Sequence, residues 1–378
     1  GGPLNVMDLR SPNRHSPDFV QAGVQAGYAH NPDFNGAEQE GVGLYQVTHK
    51  NGERYSAAKA YLTPNRNRPN LHVLTGAHAT RILLEGQRAV GVEFVQGGQK
   101  RELRATREVL LSAGALLSPQ LLMLSGIGPA DQLHEHGITL RHELPGVGRN
   151  LQDHVDVVLV YDAPQLTELF GLSLKGALNM VRGIFEWRRQ RSGMLTTNFA
   201  EAGGFIRSQA GEPIPDLQLH FVVGKLVNHG RTTTTGHGYS CLAIADPLAA
   251  PLIDPAFLTE RDDMERLIRG FKLMRNILSQ AALARFGARE LPASAAAHSD
   301  AQIEEFIRNH ADTIYHPVGS CRMGPGTMDV VDAQLRVHGL QGLRVVDASV
   351  MPGLVGGNTN APVIMMAEKA AALIRAAG

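Results

Sequence analysis

Between Leu71 and Ala113, short apolar runs alternate with turn residues. "LHVLTG", "ATRILLE", "RAVGVEFV" and "KRELRA" are split by pairs such as Glu85-Gly86 and Gly97-Gly98. Runs of this length bounded by glycine predict strands, the last three forming a meander. "REVLLSAG" is more uniformly apolar and predicts a buried strand. In "SPQLLMLSGIGP", Ser118 suits an N-cap, Pro119 the first helical position and Gly126 the stop. The stretch therefore reads strand, glycine turn, helix, the local form of an α/β nucleotide-binding fold and equally of any α/β protein.

The pattern changes on either side. Residues 1–50 are rich in Gly, Pro and Asn, and predict loops around a helix near Ser16–Ala26. Beyond residue 150, "VVLVY" and "DLQLHFVV" predict strands, and "SLKGALNMVRGIFEWRRQR" an amphipathic helix. "ERDDMERLIRGFKLMRNILSQ" has apolar residues at helical spacing, acids early and bases late, as the helix dipole favours. Thr232–Thr235 predicts a loop. At the end, "GLRVVDASVMP" predicts a strand, "GLVGGNTN" a glycine-rich loop, and "APVIMMAEKAAALIRAA" a closing helix with Pro362 in its first turn. There is no solenoid-type repeat.

Composition narrows the class. The 378 residues are 43% apolar and 19% charged, with 36 basic and 36 acidic side chains, which fits a globular chain of two to three domains. Zero net charge argues against a nucleic-acid partner. No apolar run approaches the roughly 18 residues of a membrane span. The opening "GGPLNVMDLR" reads as neither signal nor transit peptide. Two cysteines, Cys241 and Cys321, cannot build a disulfide framework, which implies a reducing, cytoplasmic compartment.

Candidate chemistry lies near the C-terminus. "NHADTIYHPVGSCRMG", Asn309–Gly324, holds His316 before a proline and a glycine, with Cys321 five residues on. His316 reads as a base, as half of a Cys321/His316 nucleophile pair, or as a structural loop histidine. No His-Glu-x-x-His or Cys-x-x-Cys is present, so no metal is expected. "GLVGGNTN" ends at a helix start, where unpaired N–H groups suit a phosphate or the electron-rich edge of a cofactor. Asn360 there reads either as part of such a site or as the helix cap.

Several long segments, in order, resemble the glucose–methanol–choline (GMC) oxidoreductases, in their choline-dehydrogenase-like, bacterial alcohol dehydrogenase branch. They are "YSAAKAYLTPNRNRPNLHVLTGAHATRIL", "GALLSPQLLMLSGIG", "LPGVGRNLQDH", "GMLTTNFAEAGGF", "YHPVGSCRMG" and "LRVVDASVMPGLVGGNTNAPVIMMAEKAAALI". The resemblance runs essentially end to end. It implies a mixed α/β (α+β) fold: a Rossmann-like FAD-binding domain, incomplete here, plus a substrate domain with an antiparallel sheet and flanking helices. Its domain portions fall at residues 1–49 (substrate), 50–150 (FAD), 151–308 (substrate) and 309–378 (FAD, with the active site).

The resemblance also implies chemistry. A primary alcohol would be oxidised to an aldehyde by hydride transfer to flavin N5, with His316 as base and Asn360 holding the alcohol oxygen. Ala79, Gly114, Asp347, Ala348, Asn360 and Ala361 would contact FAD. The electron acceptor would be a quinone, which implies contact with a membrane, or another oxidant.

Two departures from the family's pattern lead to further expectations. No Gly-x-Gly-x-x-Gly between strand and helix opens the chain, so the family's N-terminal FAD-binding segment is expected to be lacking and to be needed as a partner. Cys241 runs straight into "LAIADPL", which predicts a missing strand pair. The alternative reading is a truncated, catalytically inactive remnant that does not bind FAD by itself.

Overall fold

A computed structural model describes residues 2–227, 236–245 and 257–377. The chain forms two compact units. One comprises residues 2–71, 155–245 and 260–314, the other residues 72–154, 257–259 and 315–377. These crossings fall at 71, 154 and 314, where the sequence reading sets boundaries at 49, 150 and 308.

The first unit is built on an antiparallel sheet. Its strands run Gly41–Leu44, Ala200–Ile206, Leu217–Val222, Gly236–Ala245, Val155–Asp162 and Arg289–Glu290 in spatial order. The central strands are buried on both faces, which explains runs such as "VVLVY" that are apolar at nearly every position. Helix Arg261–Leu278 covers the sheet with Met264, Leu267, Phe271 and Met274 fully buried. Phe19, from helix Ser16–Gln25, stacks on Phe221 at 4.9 Å between ring centroids. Helix Leu174–Gln190 starts where Ser173 accepts the Gly176 N–H, an N-cap that holds one otherwise unpaired donor.

Cys241 lies mid-strand, opposite Leu159 on one side and Phe221 on the other. The strand pair expected to be missing after it concerns residues that lie largely outside the described ones, as does the loop expected at Thr232–Thr235.

The second unit carries the meander Ala77–Glu85, Arg88–Gln96 and Gln99–Arg104, with positive φ at Gly86, Gly97 and Gly98 where the chain reverses. "LHVLTG" is not a strand. Its residues precede the edge strand with no ladder partner, and Val73 and Leu74 are exposed. The expected buried strand shrinks to Val109–Leu111, parallel to Leu343–Val345, with Leu110 exposed. A core of Ile82, Leu122, Ile127, Val147, Val330 and Val345 lies between meander, helix and C-terminal segments.

Helix Gly114–Leu124 begins five residues earlier than an N-cap at Ser118 predicts, and Pro119 sits inside it. The reason is tertiary. Proline has no N–H for the Ala115 carbonyl four residues back, and the Ser320 hydroxyl donates to that carbonyl instead. Ser118 is no cap: it accepts the Ala113 N–H at 3.0 Å and donates to Asp347 at 2.5 Å. Gly126, at φ 81°, ends the helix as its sequence position predicts.

Candidate active site

His316 follows a kinked residue. Tyr315 has φ 66°, a left-handed conformation that a non-glycine residue adopts at a cost of about 1–2 kcal/mol. The Asp153 carboxylate fixes the turn by accepting the His316 N–H at 2.8 Å. Two residues on, Gln152 and Val318 exchange both backbone hydrogen bonds, at 3.0 and 2.8 Å. The segment Asn150–His154 is thereby laid antiparallel to His316–Gly319. Gln152 extends the frame: its Oε1 accepts the Leu354 N–H at 3.0 Å, and its Nε2 donates to Asn150 Oδ1 at 3.0 Å. Three chain segments are tied together beside one imidazole.

Both nitrogens of that imidazole face a polar partner. Nδ1 lies 3.1 Å from His154 Nδ1, and Nε2 lies 3.4 Å from Asn358 Nδ2. The two imidazoles meet edge to face at 83°. His154 is buried and His316 half-buried. Burial lowers the His316 pKa below its ordinary value, since water no longer solvates the imidazolium. The ring is therefore neutral, and able to accept a proton, at physiological pH.

The sequence-predicted residues fall in different places. Asn360 opens the closing helix Asn360–Ala376 and is exposed, as is Ala361. Thr359 stands at the N-cap without a side-chain hydrogen bond, so the capping reading of Asn360 is overturned and the helix's first N–H groups stay open. Asp347 is buried and receives the Gly114 N–H at 2.9 Å, the Ser118 hydroxyl and the Ser349 N–H at 2.8 Å. Ala348 starts the single turn Ala348–Val350 beside it. Ala79 lies on the meander's edge strand, exposed and opposite Phe94. Cys321 is fully buried in the core and burial pushes its thiol far up, so the nucleophile-pair reading fails for want of a thiolate. Among the described residues no cluster of metal ligands occurs. His154, Asp153 and Gln152 were not singled out by sequence, and Asn358 was marked only as part of the glycine-rich loop before the closing helix. "NLQDH" was visible only as part of a resembling segment, since 162 residues separate His154 from His316.

The geometry fits a dinucleotide cofactor. Gly114 has φ 86°, and a Cβ built on it meets nothing within 4 Å, so the strand–turn–helix junction faces open space. Open space also lies beside Gly353 and Gly356, in the loop that leads to the uncapped helix. A glycine turn at one helix start and a free helix N-terminus at another are suited to pyrophosphate and to an electron-rich ring edge.

Comparison with known proteins places the chain in the class of flavin-dependent oxidoreductases. The family models described as GMC oxidoreductase match residues 2–156 and 235–367, and the chain belongs to the GMC oxidoreductase family, whose cofactor is FAD. It is 46% identical to an alcohol dehydrogenase [acceptor] of Pseudomonas putida, over 99% of this chain and 70% of that one. It is 42% identical to the mitochondrial choline dehydrogenase of Mus musculus, over 99% of this chain and 65% of that one. Pyridoxine 4-oxidase from Mesorbium loti superposes with a TM-score of 0.82 at 31% identity, covering 98% of this chain and 72% of that one. Aspergillus oryzae formate oxidase, at 24% identity and a TM-score of 0.87, covers 100% of this chain and 73% of that one and shares the fold.

These matches correct one expectation. The absence of the family's N-terminal segment is not borne out, because the N-terminal family model matches from residue 2. The inactive-remnant alternative is not favoured either, given relatives at 40–46% identity along 99% of the chain.

Proposed function

We propose that this protein oxidises a primary alcohol to an aldehyde, with His316 as the base. The observation that carries the reading is the doubly held His316 ring, with Nδ1 against His154 and Nε2 toward the Asn358 amide. Only one proton fits between the two Nδ1 atoms when both rings are neutral. With that proton on His316, the Nε2 lone pair accepts the Asn358 amide N–H, and an alcohol hydroxyl that takes that place gives its proton to the same lone pair. The resulting imidazolium is held through its Nδ1–H by His154.

Asn358 lies against Nε2 and Asn360 opens the helix two residues on, and their amides would orient the alcohol oxygen toward His316. FAD, when bound, supplies the hydride acceptor. Gly114, Ala348, Ala79, Asn360 and Ala361 would line its site. Asp347 acts at one remove, because its oxygens already hold Gly114, Ser118 and Ser349. The open first turn of the closing helix offers positive partial charge where negative charge develops.

The substrate is an aliphatic or choline-like alcohol, and the electrons pass to a quinone or another acceptor. No cation cage forms on the single tryptophan: Arg191 covers the Trp187 ring at 4.2 Å. The test is anaerobic. Protein reconstituted with FAD should lose its flavin band on addition of a primary alcohol. His316→Gln should retain flavin but slow bleaching about 10²–10⁴-fold. Equal bleaching by both proteins would refute the assignment.

A further inference from the structure

Helix Leu174–Gln190 is packed inside out. The face turned to the protein carries Gly176, Asn179, Gly183 and Trp187, the least exposed residues of the helix. A Cβ on Gly176 would strike the Gly171 carbonyl, and one on Gly183 would meet Met194 Cγ at 2.8 Å. Asn179 donates to the Thr167 carbonyl at 2.9 Å and Trp187 to that of Gly52 at 2.8 Å. Small residues and two hydrogen bonds thus seat the helix.

The apolar stripe faces outward. Leu174, Leu178, Val181 and Phe185 recur at spacings of four, three and four, and are 94%, 50%, 49% and 63% exposed. An ordinary surface helix buries such a stripe in the core. Lys175, Arg182 and Arg189, each seven residues apart, line one flank. The helix carries four basic residues and one acid, Glu186, on a chain of zero net charge. That acid already accepts from the Ser192 hydroxyl at 3.1 Å.

From this arrangement we propose that the helix is a docking surface for an anionic lipid bilayer. It lies in the interface plane, with Leu174, Leu178, Val181 and Phe185 in the acyl boundary and the basic flank against acidic headgroups. An exposed apolar stripe with a basic border is the combination that partitions to such an interface. The same basic border opposes docking on a second copy of this positively charged helix. The inference stands on this helix alone, independently of the alcohol chemistry.

Co-sedimentation of the full chain with vesicles tests it. Vesicles of phosphatidylcholine containing about 30% phosphatidylglycerol should bind the protein at low salt, and pure phosphatidylcholine should bind it far less. About 0.5 M NaCl should release most of it. The double variant Leu178→Ser/Phe185→Ser alters exposed side chains, so its melting curve should match the parent. Its partition should fall at least about tenfold. The triple variant Lys175→Ala/Arg182→Ala/Arg189→Ala should lose the preference for acidic lipid.

Three results would each overturn the proposal. One is absence of vesicle binding at low salt. Another is binding unchanged in the serine variant. The third is a lipid-free dimer that the serine variant dissociates, which would assign the face to a second copy.

Discussion

The Nδ1 atoms of His154 and His316 lie 3.1 Å apart, with their rings nearly perpendicular. A histidine base is usually oriented by a carboxylate or a carbonyl, but the imidazole of His316 is met by a second imidazole. The partner contributes direction without contributing negative charge, so burial alone sets the basicity of His316.

The sign of the pH dependence follows. A lowered His316 pKa keeps the ring neutral at and above the ordinary histidine value of about 6.5. The profile of kcat/KM should therefore be flat at neutral pH and fall as pH drops through a value below about 6.5. In His154→Asp, a carboxylate oxygen replaces Nδ1 near the same position. It should raise the His316 pKa by about 1–3 units and carry the acid limb upward with it. His154→Asn offers a neutral amide there and should leave the limb near its original place. A limb that stays put in His154→Asp would show that His154 does not contact the base during turnover.

Gly114 separates cofactor binding from folding. Gly114→Ala imposes a left-handed alanine, worth about 1–2 kcal/mol in stability. Its new methyl group meets no protein atom within 4 Å. Flavin content after reconstitution should drop much further than the modest fall in Tm implies, because the methyl points into the open cradle. Full flavin retention would remove Gly114 from the cofactor site.

Asp347 should behave in the opposite way. Asp347→Ala strands the Gly114 and Ser349 N–H groups and the Ser118 hydroxyl together. Each unsatisfied buried group costs about 1–3 kcal/mol. Chemical denaturation should register a loss of about 3 kcal/mol or more before any flavin is added.

Cys321→Ala removes a buried sulfur from the core and no functional group. Alcohol turnover should be unchanged, with a stability cost of about 1 kcal/mol. Lost turnover at unchanged stability would return Cys321 to the chemistry.

Local pattern made some of this legible. The meander, the helix Arg261–Leu278 and the glycine stop at Gly126 follow from short-range periodicity and turn chemistry, which the fold leaves intact. The start of helix Gly114–Leu124 was misread because Ser118 is used by Asp347, 229 residues away. The segment around Leu71–Gly76 has strand-like residues but no neighbouring strand to pair with. The site divides in the same way. His316 stood out through its glycine- and proline-flanked loop, whereas His154, Asp153 and Asn358 gain meaning only through contacts across 162, 163 and 42 residues. Asn360 was marked by its loop, yet a helix start cannot tell from sequence which of two neighbouring asparagines turns toward the imidazole.

Pro119 has a consequence for how the chain is made. The helix that contains it is completed by Ser320 and anchored by Asp347, across separations of 205 to 233 residues. A ribosome adding about 5–20 residues per second delivers those partners on the order of ten seconds or more after the helix emerges. Throughout that interval the nascent helix lacks the Ser320 hydroxyl at the Ala115 carbonyl and the Asp347 carboxylate at its glycine turn. The second unit is thus begun early and latched last, and a nascent chain halted before Ser320 would hold all of this helix and the meander it packs on, but neither the Ser320 hydroxyl nor the Asp347 carboxylate.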